Sequence, residues 1–169
     1  MFYTNRFVFI ASFLMIILFS ISVQAMPIIG QYAGPDTLPN GLQLTDFRVQ
    51  GPSSPKTGDE ILVTFRLMNV SETPITFDPR YGVFVGARWN STTDKNNRDF
   101  GHNYKGTTIV YTNGVVLQAR KILDKAGTWR FWPAFNINGK WGPFRWHEIV
   151  VEVVQGPPPP PGPRPPSRP

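Results

Sequence analysis

Hydrophobic and polar residues alternate at period two through most of the middle of the chain, and that alternation predicts strands. The clearest case is Glu60–Asn69, where Ile61, Val63, Phe65 and Leu67 fall on one side and Leu62, Thr64, Arg66 and Met68 on the other. Successive side chains of a strand point to opposite faces, so this segment reads as a strand with one face in a core. Further strands are expected at 42–49, 75–77, 81–89, 107–111, 115–122, 129–137 and 146–154. Thr112-Asn113-Gly114 reads as the turn of a hairpin between 107–111 and 115–122. Residues 91–104, rich in Asn, Asp, Lys and Gly, read as a long exposed loop. Many short strands, frequent turn residues and no sustained helical period give an all-β domain built as a single antiparallel sandwich.

The last two strands pose a parity problem. A plain two-residue turn at Asn138-Gly139 sets Trp129 opposite Glu148, a charge against the aromatic row Trp129, Phe131 and Phe135. An odd loop at Asn138-Gly139-Lys140, or a bulge near Gly142-Pro143, moves Ile149, Val151 and Val153 into the core row instead. The hydrophobic pattern therefore predicts the odd loop or the bulge, with Trp132 and Trp146 paired across the strands on the outer face.

Both ends of the chain differ from this domain. Met1 to Arg6 is short and ends in a positive charge, residues 7–21 are almost unbroken apolar sequence, and Val23-Gln24-Ala25 brings small residues to the end of that run. This is the order of parts in a secretory signal peptide cleaved after Ala25. The alternative is an uncleaved anchor helix, since a span of about 20 residues crosses a bilayer. Both readings put the domain outside the cell membrane, secreted or at its outer face, with membrane contact only through residues 7–25 if they are retained. Residues 26–41, with Pro27, Pro35 and Pro39, read as an extended and largely unpaired leader. Residues 156–169 carry nine of the 18 prolines and read as a disordered or polyproline II tail. The domain itself is then 42–155.

Composition narrows the chemistry. There is no cysteine, which excludes disulfides, thiolate zinc sites, iron–sulfur clusters and cysteine nucleophiles. The net charge is +6, but the basic residues are dispersed, with no run of three. A nucleic-acid binder would carry a clustered basic stripe, so none is expected as partner. Two triplets, Asn69-Val70-Ser71 and Asn90-Ser91-Thr92, are glycan acceptors if the exporting host glycosylates, which would make this a glycoprotein.

The run Leu123-Asp124-Lys125-Ala126-Gly127-Thr128-Trp129-Arg130-Phe131 resembles the approach to the penultimate strand of immunoglobulin-like and fibronectin-type-III-like sandwiches. It also resembles a pattern of the adhesion-type repeats of bacterial and archaeal surface proteins. Gly58-Asp59-Glu60-Ile61-Leu62-Val63-Thr64-Phe65 is similar to the start of their second strand, and Ile149, Val151 and Val153 to their last. The resemblance implies an immunoglobulin-like fold at a cell surface and no catalytic residue. Asp124 stands one residue further from the aromatic than in antibody domains, and tryptophan offers only an N–H for a corner hydrogen bond.

No catalytic motif is present, so no enzyme activity, cofactor or catalytic residue is expected. The two histidines, His102 and His147, have no ligand spacing between them, and no metal site is expected; Asn90, Asp94, Asn96, Asn97 and Asp99 are oxygen donors in one loop with Lys95 and Arg98 opposing a cation. The candidate ligand or partner surface is Trp132, Trp141, Phe144 and Trp146, because flat aromatic faces stack on sugar rings or fill a partner's pockets. Cross-strand packing is the competing role for the same residues. Three functions follow: an exported module that binds a protein or cell-surface polymer, a carbohydrate-binding module using exposed tryptophans, or a filament subunit. In the last, Ile28, Ile29 and Tyr32 of the leader would add as a strand to a neighbour's sheet edge.

Overall fold

The computed structural model describes residues 25–90, 98–110 and 113–158. The signal or anchor segment up to residue 24, part of the 91–104 loop and most of the proline-rich tail lie outside the described residues. Strands form at Ile28–Tyr32 (β1), Asp36–Thr37 (β2), Leu42–Gln50 (β3), Glu60–Asn69 (β4), Ile75–Thr76 (β5) and Val83–Trp89 (β6). They continue at Phe100–Asn103 (β7), Thr108–Ile109 (β8), Val115–Ile122 (β9), Gly127–Ile137 (β10), Lys140–Pro143 (β11) and Ile149–Val153 (β12), with a 3₁₀ turn at Arg145–His147.

Two antiparallel sheets pack face to face. The first runs β1-β3-β4-β9, with β2 also on β3; the second runs β7-β6-β10, with β11 and β12 both pairing with β10. The alternating row Ile61, Val63, Phe65 and Leu67 of β4 is buried, as its period requires, and meets Val85, Ala87, Trp129 and Phe131 of the second sheet in one core. β3 changes face partway. Leu42 and Leu44 point inward, and then so do Phe47 and Val49; a bulge between Thr45 and Arg48, with Asp46 at φ 55°, supplies the extra residue.

Tyr111 and Thr112 of the expected hairpin lie outside the described residues, and the strands on either side of them do not pair with each other. β9 pairs with β4, and β8 with β5. The apolar row Val115, Leu117 and Ala119 reaches the core only from the free edge of β4, and burial outweighs the local turn signal. The second half of the expected loop is also ordered: Phe100–Asn103 is β7, on the edge of β6.

The parity problem is solved by a third route. Asn138 and Gly139, at φ 51° and 78°, make a two-residue turn that pairs Ile137 with Lys140, so the odd loop is not used. Immediately after Pro143 the 3₁₀ turn shifts the register, and Phe131 then pairs with Ile149 and Trp129 with Val151. Val151 and Val153 join the core as the pattern demands. Trp146 sits on the 3₁₀ turn and so never pairs with Trp132, correcting the expected outer-face pair.

The leader is not unpaired. β1 and β2 both lie on β3, and Ile29, Tyr32 and Leu38 pack against the core. A clasp holds it: the Trp146 indole N–H donates to the Asp36 carboxylate, His147 Nε2 lies 2.9 Å from the same oxygen, and the His147 ring stacks on Tyr32 at 3.6 Å. These bonds hold the Asp36 carboxyl below its usual range, while burial raises the Tyr32 phenol. At the corner that carries the family resemblance, the Trp129 indole N–H donates to the Lys125 carbonyl at 3.0 Å, and that of Trp89 to Ala126 at 2.8 Å. Asp124 accepts neither bond.

Candidate functional site

β6 and β10 are buried on both faces. In a two-layer sandwich one face of each sheet ordinarily meets water, so something else covers the outer face here. The register shows what it is. Across the two strands the outward positions pair as Arg88 with Arg130, Gly86 with Trp132, and Phe84 with Ala134. Phe84, Trp132 and Ala134 form a second apolar cluster, separate from the core between the sheets.

Gly86 makes room for this layer. A Cβ at position 86 would lie 2.3 Å from the indole of Trp132, so the ring rests on bare backbone. Around the ring the Arg88 guanidinium stands 5.2 Å from the centroid and that of Arg145 5.3 Å. Arg88 is itself buried and reaches Asp99 at 2.6 Å. Phe84 stacks on His102 at 4.6 Å and meets Trp141 edge-on at 5.5 Å, and Tyr81 lies 4.5 Å from Trp141.

The result is a hollow of about 370 Å³ on the outer face, walled by Phe84, Trp132, Trp141, Arg88, Asp99 and Arg145. A second, shallower hollow of about 470 Å³, lined by Leu38, Pro39, Ile137 and Lys140, adjoins it and shares Trp141 as a wall. An apolar depression with a few convergent polar groups is the usual form of a small-ligand seat. The aromatic walls offer flat faces, the guanidinium groups can donate to hydroxyl or anionic oxygens, and the carboxylate can accept from a hydroxyl.

The four aromatic candidates therefore separate. Trp141 is 54% exposed and forms the rim between the two hollows. Trp132 is 2% exposed and forms a wall rather than a platform. Phe144 is 0% exposed, a core residue that cannot meet a ligand, because the 3₁₀ turn it precedes folds it between the sheets. Trp146 is 59% exposed but lines neither hollow and belongs to the leader clasp. From the sequence, Asp99 and His102 are weighed only as metal ligands and Phe84, Gly86, Arg88 and Arg145 are not singled out, so none of these six is expected at a ligand surface. A signal for half of them exists in the strand Val83-Phe84-Val85-Gly86-Ala87-Arg88, where an interior glycine marks a close approach of another group.

Asn69 is buried, and its Nδ2 donates to the carbonyls of Thr73 and Ile109 while Oδ1 accepts from Ser71. In this arrangement Asn69 is a structural bracket, and a glycan on Nδ2 would displace its bonds to Thr73 and Ile109. Asn90 is exposed, with Oδ1 accepting from the Thr128 amide, and the rest of its triplet lies outside the described residues. Among the described residues there is no group of three or more His, Asp and Glu placed to hold a metal. His102 lies on β7 beside Phe84, and His147 on the 3₁₀ turn beside Asp36. Of the loop oxygen donors, Asp99 is engaged by Arg88, and Asp94, Asn96 and Asn97 lie outside the described residues.

No protein-family model matches the chain, and no curated protein matches its sequence. Among solved structures, the crystal structure of the C-terminal domain of Wzt is similar, at 12% identity and a TM-score of 0.46, over 75% of this chain and 79% of that one.

Proposed function

We propose that this chain is an exported, non-catalytic, immunoglobulin-like binding module that seats a carbohydrate chain in the aromatic hollow on the outer face of its second sheet. The observation that carries the reading is the hollow itself, with Trp141 standing half-exposed at its rim. A pocket of this size takes a small polar group such as a sugar. A protein partner held with useful affinity needs a flatter surface of roughly 800 Å² per side. Sugar C–H faces pack on the Trp141 ring, and Arg88, Asp99 and Arg145 supply partners for hydroxyl groups.

The fold component is supported by strand order. β3-β4-β9 facing β7-β6-β10-β12 corresponds to strands A-B-E facing C′-C-F-G of a fibronectin-type-III-like sandwich. Export rests on residues 1–25. The filament reading loses support because β1, its intended donor strand, already lies on β3 of its own chain.

Affinity electrophoresis of the full chain through gels containing soluble polysaccharides tests the reading. Retardation by at least one polysaccharide is expected, with affinity falling about 30-fold in Trp141→Ala, as for a central aromatic anchor. Folding stability should change by no more than about 1 kcal/mol, since the residue is half-exposed. A folded chain that no polysaccharide retards would contradict the carbohydrate component. Recovery of the protein only from cytosol would contradict export.

A further inference from the structure

We infer that the sugar bound in this hollow is acidic, carrying a carboxylate or sulfate that Arg145 holds; the inference rests on the carbohydrate reading above. It starts from an arrangement that stability does not favour. Arg88 and Arg130 lie directly opposite each other on β6 and β10, with side chains on the same outer face. Like charges in directly opposed positions destabilise a sheet. Each arginine is compensated by its own carboxylate, Asp99 at 2.6 Å from Arg88 and Glu148 at 2.6 Å from Arg130. Arg88 is moreover buried, and an apolar pair of similar volume would stabilise a fold as well as a buried ion pair does. Stability alone therefore gives no reason to gather these guanidinium groups.

Arg145 adds a third. It is exposed, it lines the hollow, and among the described residues it has no carboxylate partner. Among the described residues, the charged groups that line the hollow are two arginines, Arg88 and Arg145, and one carboxylate, Asp99. Packing near the Trp132 ring restrains the Arg145 guanidinium without neutralising it. A planar fork of N–H donors lining the same hollow as the half-exposed Trp141 suits an anionic group attached to a ring that stacks on Trp141. Lys140 in the adjoining hollow, across Trp141, places a further positive charge along the path of a longer chain.

The test uses the full chain and three probes on one backbone: oligogalacturonate, the same oligosaccharide with its carboxylates reduced to alcohols, and the sulfated form of that reduced oligosaccharide. Calorimetric titration at moderate salt should show binding of at least one acidic form about tenfold or more tighter than of the neutral form. Which acidic form is preferred separates a carboxylate from a sulfate ligand. Arg145→Gln should lose that preference. Arg66→Gln, the same charge change on the exposed face of β4, should alter affinity less than about twofold, the size expected of a screened distant charge. Equal binding of acidic and neutral forms, both lost in Trp141→Ala, would overturn the inference and leave the carbohydrate reading standing. Equal losses in Arg145→Gln and Arg66→Gln would overturn it as general polyanion attraction. If none of the three binds, the inference fails, and retardation by other polysaccharides then decides the parent reading separately.

Discussion

The outer layer depends on a hydrogen atom at position 86. Trp132 lies flat because Gly86 has no side chain, and the indole is a rigid neighbour that cannot yield at its far end. Gly86→Ala should therefore cost about 1–3 kcal/mol, the range for overpacking, and should tilt Trp132 out of the wall. Urea denaturation reads the first effect, and near-ultraviolet circular dichroism the second. Unchanged stability with an unchanged aromatic spectrum would mean that the ring does not rest on this backbone. At the same scale Asn69 shows how a motif and its environment diverge. The triplet is visible in the sequence, but the side chain is spent on two carbonyls and a serine inside the fold.

Among the elements, the leader strand is the one whose role changed most. Ile28-Ile29-Gly30-Gln31-Tyr32 was legible as a strand former, but its partner was not: it pairs with Phe47–Gln50 of β3 in its own chain. What fixes it is non-local: Asp36 meets Trp146 and His147, more than a hundred residues on. Because the folded Asp36 carboxyl titrates below its unfolded value, its contribution is fully present above the ordinary Asp range and is lost as pH falls through the folded value. Asp36→Asn should lower stability at neutral pH, and the gap to the native chain should close below about pH 4. Urea midpoints measured from pH 7 down to pH 2.5 check this; a gap that stays constant would show that Asp36 does not clasp the leader. β4 and the core row of β12 were legible because burial enforces their period. The parity switch was legible as a need, since Ile149, Val151 and Val153 had to face inward, but its device was not. A 3₁₀ turn after Pro143 and a bulge satisfy the same pattern. β3 carried a similar sign, since Leu42, Leu44, Phe47 and Val49 break period two by one residue at the place where Asp46 bulges. The expected pairing of the strands before and after 112–114 failed for the opposite reason, a strong local signal outweighed by the free edge of β4.

At the scale of the whole molecule, the two sheets enclose one core, and a second apolar layer lies outside it on β6 and β10. That outer layer, the hollow it forms and the arginines around it are the features that core packing does not need. They were only partly visible in the sequence: Trp132 and Trp141 stood out by type, while Arg145 reaches the site on a turn and Asp99 just ahead of an edge strand, positions that depend on tertiary pairing. The five tryptophans now provide a direct probe, because their indole N–H groups report from different places. Trp132 and Trp141 wall the hollow, Trp146 sits in the leader clasp, and Trp129 lies in the core. Titrating the ¹⁵N-labelled full chain with an acidic oligosaccharide and following the indole resonances tests the central claim most directly. Saturable shifts of Trp141 and Trp132, with Trp146 and Trp129 unmoved, are the predicted result. Saturable binding that shifts Trp146 and leaves Trp141 and Trp132 in place would contradict it.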